Sequence, residues 1–91
     1  MPISVRLPTI LRTYAGGQAK VSADGTTVGQ VVDDLVRQFP GMGGHLRSPQ
    51  GELHRFVNVY VNDEDVRYTG GLDSTIGDGD EVSILPAVAG G

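Results

Sequence analysis

The residues of this 91-residue sequence best suited to chemistry stand at its end, where Leu85-Pro86 is followed by Ala-Val-Ala-Gly-Gly. Glycine has no Cβ, so Gly90 and Gly91 can lie flat in a channel that is too narrow for other residues. The five residues after Pro86 span at most about 17 Å when extended, enough to leave a globular body and enter a partner. The pattern therefore predicts a terminal carboxylate that serves as a chemical handle.

A carboxylate is a poor electrophile until it is converted to a form with a good leaving group, such as an acyl-adenylate. Attack of sulfide or persulfide on that adenylate would give a thiocarboxylate. The sequence contains no cysteine, which excludes disulfides, zinc ribbons and thiolate catalysis. The C-terminus is therefore the best place on this chain to carry sulfur covalently.

Other candidate sites have weaker support. His45 and His54 are nine residues apart, without the spacing of a metal site, and are interpreted as surface or loop residues. The acidic run at residues 63–65 resembles the start of a calcium loop, but Tyr68 stands where such loops need glycine. The glycines of residues 41–44 lack the third glycine of a dinucleotide fingerprint. No catalytic or metal-binding constellation emerges from these residues.

Composition limits the chain to one small globular domain. Hydrophobic residues make up 38% and charged residues 20% of the sequence, as is usual for a folded chain with a single thin core. No segment resembles a membrane span or a signal peptide, which predicts a cytoplasmic protein. The net charge of −4 and the absence of a basic stripe predict neither nucleic-acid nor membrane partners.

The charges are unevenly divided along the sequence. Residues 1–55 carry six Lys/Arg and four Asp/Glu, whereas residues 56–91 carry one basic residue and seven acids. An acidic C-terminal half could steer the chain's end toward a basic partner. The simpler interpretation is that these acids occupy solvated turns.

One helix is strongly indicated. Its apolar residues follow the spacing i, i+3, i+4, i+7, i+8 and i+11 and form one stripe; they are Val28, Val31, Val32, Leu35, Val36 and Phe39. Capping side chains in residues 24–27 precede this stripe, and Pro40-Gly41 follows it. The pattern predicts an amphipathic helix of about three turns.

Alternation of apolar and polar residues predicts strands at residues 3–7, 19–23, 56–61 and 80–85, with a short returning strand at 66–68. The glycine-rich segment between the helix and the third strand is predicted to be a loop with a short helical turn. The order β-β-α-β-β-β predicts an α+β roll of the β-grasp (ubiquitin-like) type, with one main helix on a mixed sheet of four to five strands. Its first and last strands would lie side by side at the centre of the sheet.

The sequence resembles the ThiS/MoaD family of ubiquitin-like sulfur carriers along essentially its whole length. The resemblance rests on residues 60–66 (YVNDEDV) and 77–82 (GDGDEV), on Leu85-Pro86 and on Gly90-Gly91. Further similarity in residues 8–12, 56–67 and 85–91 points to the members of the family that serve cysteine biosynthesis. The resemblance implies a domain at residues 1–86 and a flexible tail at 87–91.

The resemblance also implies a protein cosubstrate rather than an enzyme, together with a set of partner enzymes. An E1-like, ATP-dependent enzyme would adenylate and sulfurate Gly91, Gly90 would give access, and Ala87, Val88 and Ala89 would fit the partner's channel. The thiocarboxylate would attack an aminoacrylate held on pyridoxal phosphate by a cysteine synthase. After an S-to-N acyl shift, a zinc metallopeptidase would release cysteine. ATP, pyridoxal phosphate and zinc would belong to these partners, and the chain itself would bind no cofactor.

Several alternatives stay open at the level of sequence. Phe56, Val57 and Val59 are weaker candidates for a partner-facing sheet, with packing in the sheet core as the competing interpretation. The sulfur acceptor could instead be molybdopterin, thiamin, transfer RNA or a secondary metabolite. The chain could also be a ubiquitin-like modifier of lysines, or a plain β-grasp interaction module that does not need Gly91.

Overall fold

The alternating segments form five strands: β1 (Ile3–Arg6), β2 (Lys20–Ala23), β3 (Val57–Val61), β4 (Glu64–Asp65) and β5 (Glu81–Pro86). The strands make one mixed sheet in the order β2-β1-β5-β3-β4. The first and last strands pair in parallel at its centre, as predicted. The structure, a computed structural model, describes residues 2–55 and 57–86.

The first two strands form the predicted antiparallel pair, but their connection contains helical structure that the sequence analysis did not predict. Pro8 has an extended backbone and begins the short helix α1 (Thr9–Arg12). A 3₁₀ turn at Thr13–Ala15 follows, and Gly16 ends it in the left-handed conformation that glycine adopts without strain. This helical connection buries Leu11 and Ala15 beside the sheet.

The main helix, α2 (Val28–Gln38), lies where the apolar stripe predicted it. The Thr27 side chain accepts a hydrogen bond from the Gln30 backbone N–H (3.2 Å), and the Gln30 side chain accepts one from the Thr26 N–H (2.8 Å). These reciprocal bonds satisfy N–H groups that a helix start leaves unpaired. The first four residues of the stripe are buried against the sheet, and they are Val28, Val31, Val32 and Leu35.

The predicted loop after α2 contains a 3₁₀ turn at Pro40–Met42 and the short helix α3 (Gly43–Leu46), so the predicted helical turn is confirmed. Met42 and Leu46 are fully buried and close one end of the core. Among the described residues, no helix has the length and apolar character needed to cross a membrane.

The predicted strand at residues 66–68 is wrong. Asn62 and Asp63 both have positive φ (50° and 74°), so the chain reverses there in a tight two-residue turn. The returning strand is consequently β4, which lies two residues earlier than predicted. The Asp65 side chain then accepts a hydrogen bond from the Arg67 N–H (2.9 Å) and begins a 3₁₀ turn at Val66–Tyr68.

Truncation of α2's buried face should destabilise the domain strongly. Leu35 is 0% exposed, so Leu35→Ala should lower the free energy of unfolding by about 2–5 kcal/mol through lost burial and the cavity that it leaves. Urea unfolding followed by circular dichroism measures this change. Ile10→Ala removes an aliphatic side chain that is 61% exposed and should cost less than about 1 kcal/mol. Equal losses for the two variants would contradict this account of the core.

Candidate functional site

The strand β5 carries the chain through the middle of the sheet to the start of the C-terminal segment. It pairs in parallel with β1, where Val5 lies beside Val82, and antiparallel with β3, where Val57 lies beside Pro86. Val82 and Ile84 are buried in the core. The chain is therefore paired on both sides at Val82 and Ser83, and its last three residues, up to Pro86, are paired with β3 alone. We call the end of the sheet at Arg6, Lys20, Val57 and Pro86 the tail end.

The residues predicted to carry sulfur and to thread into partners lie outside the described residues; they are Ala87, Val88, Ala89, Gly90 and Gly91. Their roles stay predictions. The structure does place their point of attachment, Pro86, at the end of the central strand. Proline lacks a backbone N–H, so its place at a strand end removes no donor that the middle of a ladder would need.

The predicted partner-facing residues divide in the structure. Val59 is 2% exposed and belongs to the core, so the prediction that it faces a partner is wrong and the competing core interpretation is confirmed for it. Val57 is half-buried and packs against the same core, because residues two apart on a strand share one face. Phe56 lies outside the described residues. The opposite face of β3 carries Asn58 and Tyr60, both only half-buried.

A groove of about 770 Å³ lies beside Pro86, between β1, α1, the start of β2 and the end of β5. Its lining is largely apolar, and Ile10 and Leu85 are exposed to 61% and 46%. Three cations, Arg6, Arg12 and Lys20, also line it. We call this feature the basic groove. Part of the basic groove could have been predicted from the sequence. In β5, Glu81 and Ser83 are polar and alternate with apolar residues, so Leu85 is an apolar residue where the pattern calls for a polar one.

A second, smaller pocket of about 160 Å³ borders the other side of Pro86. His45 and His54 both line it, although their spacing in the sequence did not suggest proximity. The His45 Nε2 atom lies 3.0 Å from the Tyr14 hydroxyl, which ties α3 to the connection after α1. Within residues 2–55 and 57–86, no three His, Cys, Asp or Glu side chains are grouped to hold a metal ion.

Two turns with acidic residues, at residues 62–63 and 77–80, lie at the opposite end of the sheet from Pro86, whereas the Glu81 carboxylate reaches Arg6 and Lys20. Asp63 and Asp78 are exposed in turns, in agreement with the interpretation that these acids occupy solvated turns. Asp80 accepts hydrogen bonds from the Gly77 N–H and the Asn62 side-chain amide, each 2.8 Å long. These bonds favour the ionised form and lower the pKa of the Asp80 carboxyl, the bond from Gly77 having the larger effect.

Three other acids are paired with arginines. Hydrogen bonds from Arg37 and Arg67 lower the pKa values of Asp34 and Asp65. Both pairs lie close in sequence. The third pair joins Arg47 to Asp33 across 2.8 Å and links the loop after α3 to α2. These pairs are exposed on at least one side, so each contributes little to stability.

Comparison with known proteins gives a consistent result. The ThiS family profile matches residues 5–91. The sulfur carrier protein CysO of Mycobacterium tuberculosis is 57% identical, with all of both chains covered. The molybdopterin synthase sulfur carrier subunit of the same organism is 34% identical over 75% of this chain and 68% of the relative.

The solved structure of a complex between BexX and CysO from Amycolatopsis orientalis contains a chain with the same fold. The TM-score is 0.89 at 52% sequence identity, and 98% of this chain and 99% of that chain are covered. The β-grasp prediction is thereby confirmed.

The Asp80 hydrogen bonds should make stability depend on pH. Because the pKa of Asp80 is lowered in the folded state, its contribution is complete above the unfolded pKa and is lost as pH falls through the folded value. Asp80→Asn should therefore lower the unfolding temperature at pH 7, and the difference from the unmodified chain should shrink toward pH 2. Thermal unfolding by circular dichroism measures both. Asp78→Asn, two residues away, is the matched control, and an equal effect of the two substitutions would contradict the assignment.

Proposed function

This chain belongs to the ThiS family and is a homologue of the CysO sulfur carriers, and from that premise we propose that the carboxylate of Gly91 carries the sulfur as a thiocarboxylate. The observation that supports this most directly is the position of Pro86 at the end of a strand paired on both sides. The folded body extends to Pro86, and the five residues beyond it can reach about 17 Å. We accordingly treat residues 1–86 as the domain and 87–91 as the tail.

The proposed chemistry begins at an E1-like adenylating enzyme. A Gly91 carboxylate oxygen attacks the α-phosphorus of ATP, and pyrophosphate leaves. Sulfide then attacks the acyl carbon, and AMP leaves. The product is a thiocarboxylate on Gly91. In this scheme Gly90, Ala89, Val88 and Ala87 occupy the channel, where their small side chains let the terminus reach the bound nucleotide.

We propose cysteine biosynthesis as the route, because identity to CysO is 57% and identity to the molybdopterin subunit is 34%. The thiocarboxylate sulfur adds to the β-carbon of an aminoacrylate held by a pyridoxal-phosphate cysteine synthase. The acyl group then moves from sulfur to the amino nitrogen. A zinc metallopeptidase hydrolyses the resulting amide, which releases cysteine and restores the Gly91 carboxylate. The chain acts as a cytoplasmic protein cosubstrate, and ATP, pyridoxal phosphate and zinc belong to the partners.

Copurification of the chain with its native partners tests the carriage of sulfur. Incubation with ATP and a sulfide source should shift the intact mass by about 16 Da, the difference between one sulfur and one oxygen. Removal of Gly91 should abolish the shift and stop product formation. Gly44→Ala is the matched control, because a Cβ at that position meets open space. A Gly91-truncated chain that still supports product formation at the normal rate would refute the proposal.

The acceptor is tested separately. The thiocarboxylated chain, mixed with the cysteine synthase and an activated serine, should become an adduct that is heavier than the carboxylate form by one cysteine residue, and the zinc metallopeptidase should return it to the mass of the carboxylate form. Mass spectrometry follows both steps. Loss of sulfur to a pterin precursor without any cysteinyl adduct would support the molybdopterin alternative. Isopeptide-linked ladders on other proteins would support the modifier alternative.

A further inference from the structure

Positive charge gathers at the tail end of the sheet. The strand β5 spans about 16–17 Å from Glu81, which follows the acidic turn at residues 77–80, to Pro86 at the tail end. The basic groove at the tail end is lined by Arg6, Arg12 and Lys20 and by no described acid. The chain as a whole has a net charge of −4, yet Pro86, from which the C-terminal segment starts, lies beside a cluster of cations.

The cations of the basic groove are only partly compensated. Arg6 and Lys20 share one carboxylate, Glu81, at 4.0 and 3.2 Å. The Arg12 Nε donates to the Leu7 carbonyl oxygen at 3.2 Å, a neutral acceptor. The pairs of Arg37, Arg47 and Arg67 described above, by contrast, each have a carboxylate of their own. A net positive charge is thus left around Pro86.

Apolar surface accompanies this charge. Ile10 and Leu85 line the basic groove with large apolar side chains that are 61% and 46% exposed. An exposed apolar patch bordered by charge is typical of a protein–protein contact. The patch is also continuous with the segment that the proposed function sends into partner enzymes.

We infer that the basic groove docks onto an acidic rim at the mouth of the partner enzyme, where carboxylates surround an apolar patch that covers Ile10 and Leu85. The inference rests on the proposed function, since that function brings the tail into a partner. The excess of cations around Pro86 would orient the chain with its tail foremost toward such a mouth. The groove cations would also offset the repulsion between the negative C-terminus and the acidic rim.

Association with the BexX protein of Amycolatopsis orientalis tests this inference, because a CysO chain 52% identical to this one is found in complex with BexX. Biolayer interferometry with immobilised BexX gives association rates at low and high NaCl concentrations. The association rate of the unmodified chain should fall about tenfold or more as salt rises. This salt series requires no variant and is independent of any folding defect.

Charge-reversal variants then test whether the cations of the basic groove cause the salt dependence of the association rate. Lys20→Glu and Arg12→Glu should each slow association about threefold to tenfold at low salt, and high salt should reduce the difference. Arg67→Glu, at a cation away from the groove, should change the rate less than about twofold. Because Arg12 bonds to the backbone and Lys20 is an exposed side chain, the Lys20 variant keeps the test informative if the Arg12 variant unfolds.

Three outcomes would overturn the inference. The first is a rate unaffected by salt or by both reversals, or no binding to BexX at all. The second is faster association after removal of residues 87–91, which would show that the chain's own tail occupies the groove. The third is a concentration-dependent dimer that Lys20→Glu abolishes. Truncation of Gly91 alone should leave the salt-dependent association intact, so failure of the sulfur chemistry and failure of this docking surface are distinguishable.

Discussion

The pairing of β5 with β1 on one side and β3 on the other is the constraint on which the rest of the structure depends. The backbone of this strand is hydrogen-bonded to both neighbours, and Val82 and Ile84 fix it to the core beneath. The last described residue, Pro86, is anchored through its pairing with Val57 on β3 and through the buried side chain of Ile84 just before it. A chain that delivers its terminus to other enzymes needs such a fixed starting point, because it sets where the delivered group can reach.

The parallel pairing of β1 with β5 has a second consequence, which concerns charge. Parallel neighbours run in the same direction, so the residues that follow β1 gather where β5 ends. Arg12 and Ile10 therefore surround Pro86 although they are more than seventy residues away in the sequence. The acidic turn at residues 77–80, which is close to Pro86 in sequence, lies at the far end of the same strand. Most residues of the basic groove beside Pro86 thus come from the N-terminal half of the chain.

Under the proposed function, a carrier without cysteine places its chemistry on a terminal group and leaves the choice of reaction to its partners. Relatives named for CysO and for molybdopterin synthase share the family of this chain, so the fold alone does not select an acceptor. The choice of sulfur acceptor then depends on the surface of the chain that contacts the partner enzyme. The basic groove and the small pocket lined by His45 and His54 both border Pro86, the last described residue before the tail.

The sequence by itself determined the elements whose signals are local. The stripe from Val28 to Phe39 placed α2, and alternation placed the main strands, because periodicity follows from the geometry of one segment alone. The terminal glycines, together with the absence of cysteine, predict chemistry at Gly91, and that role stays a prediction. The misplaced strand at residues 66–68 arose because a turn at Asn62 and Asp63 with positive φ moves the return by two residues.

Only the tertiary structure decided which residues surround Pro86 and which face of β3 is covered by the core. The sequence favoured the core for Val59 but left a partner-facing role open, and the structure buries it in the same core as the apolar face of α2. The basic groove joins residues from β1, α1, β2 and β5, and no local pattern encodes such a meeting. It exists because strand pairing is a long-range interaction, which orders distant segments in space regardless of their distance along the chain.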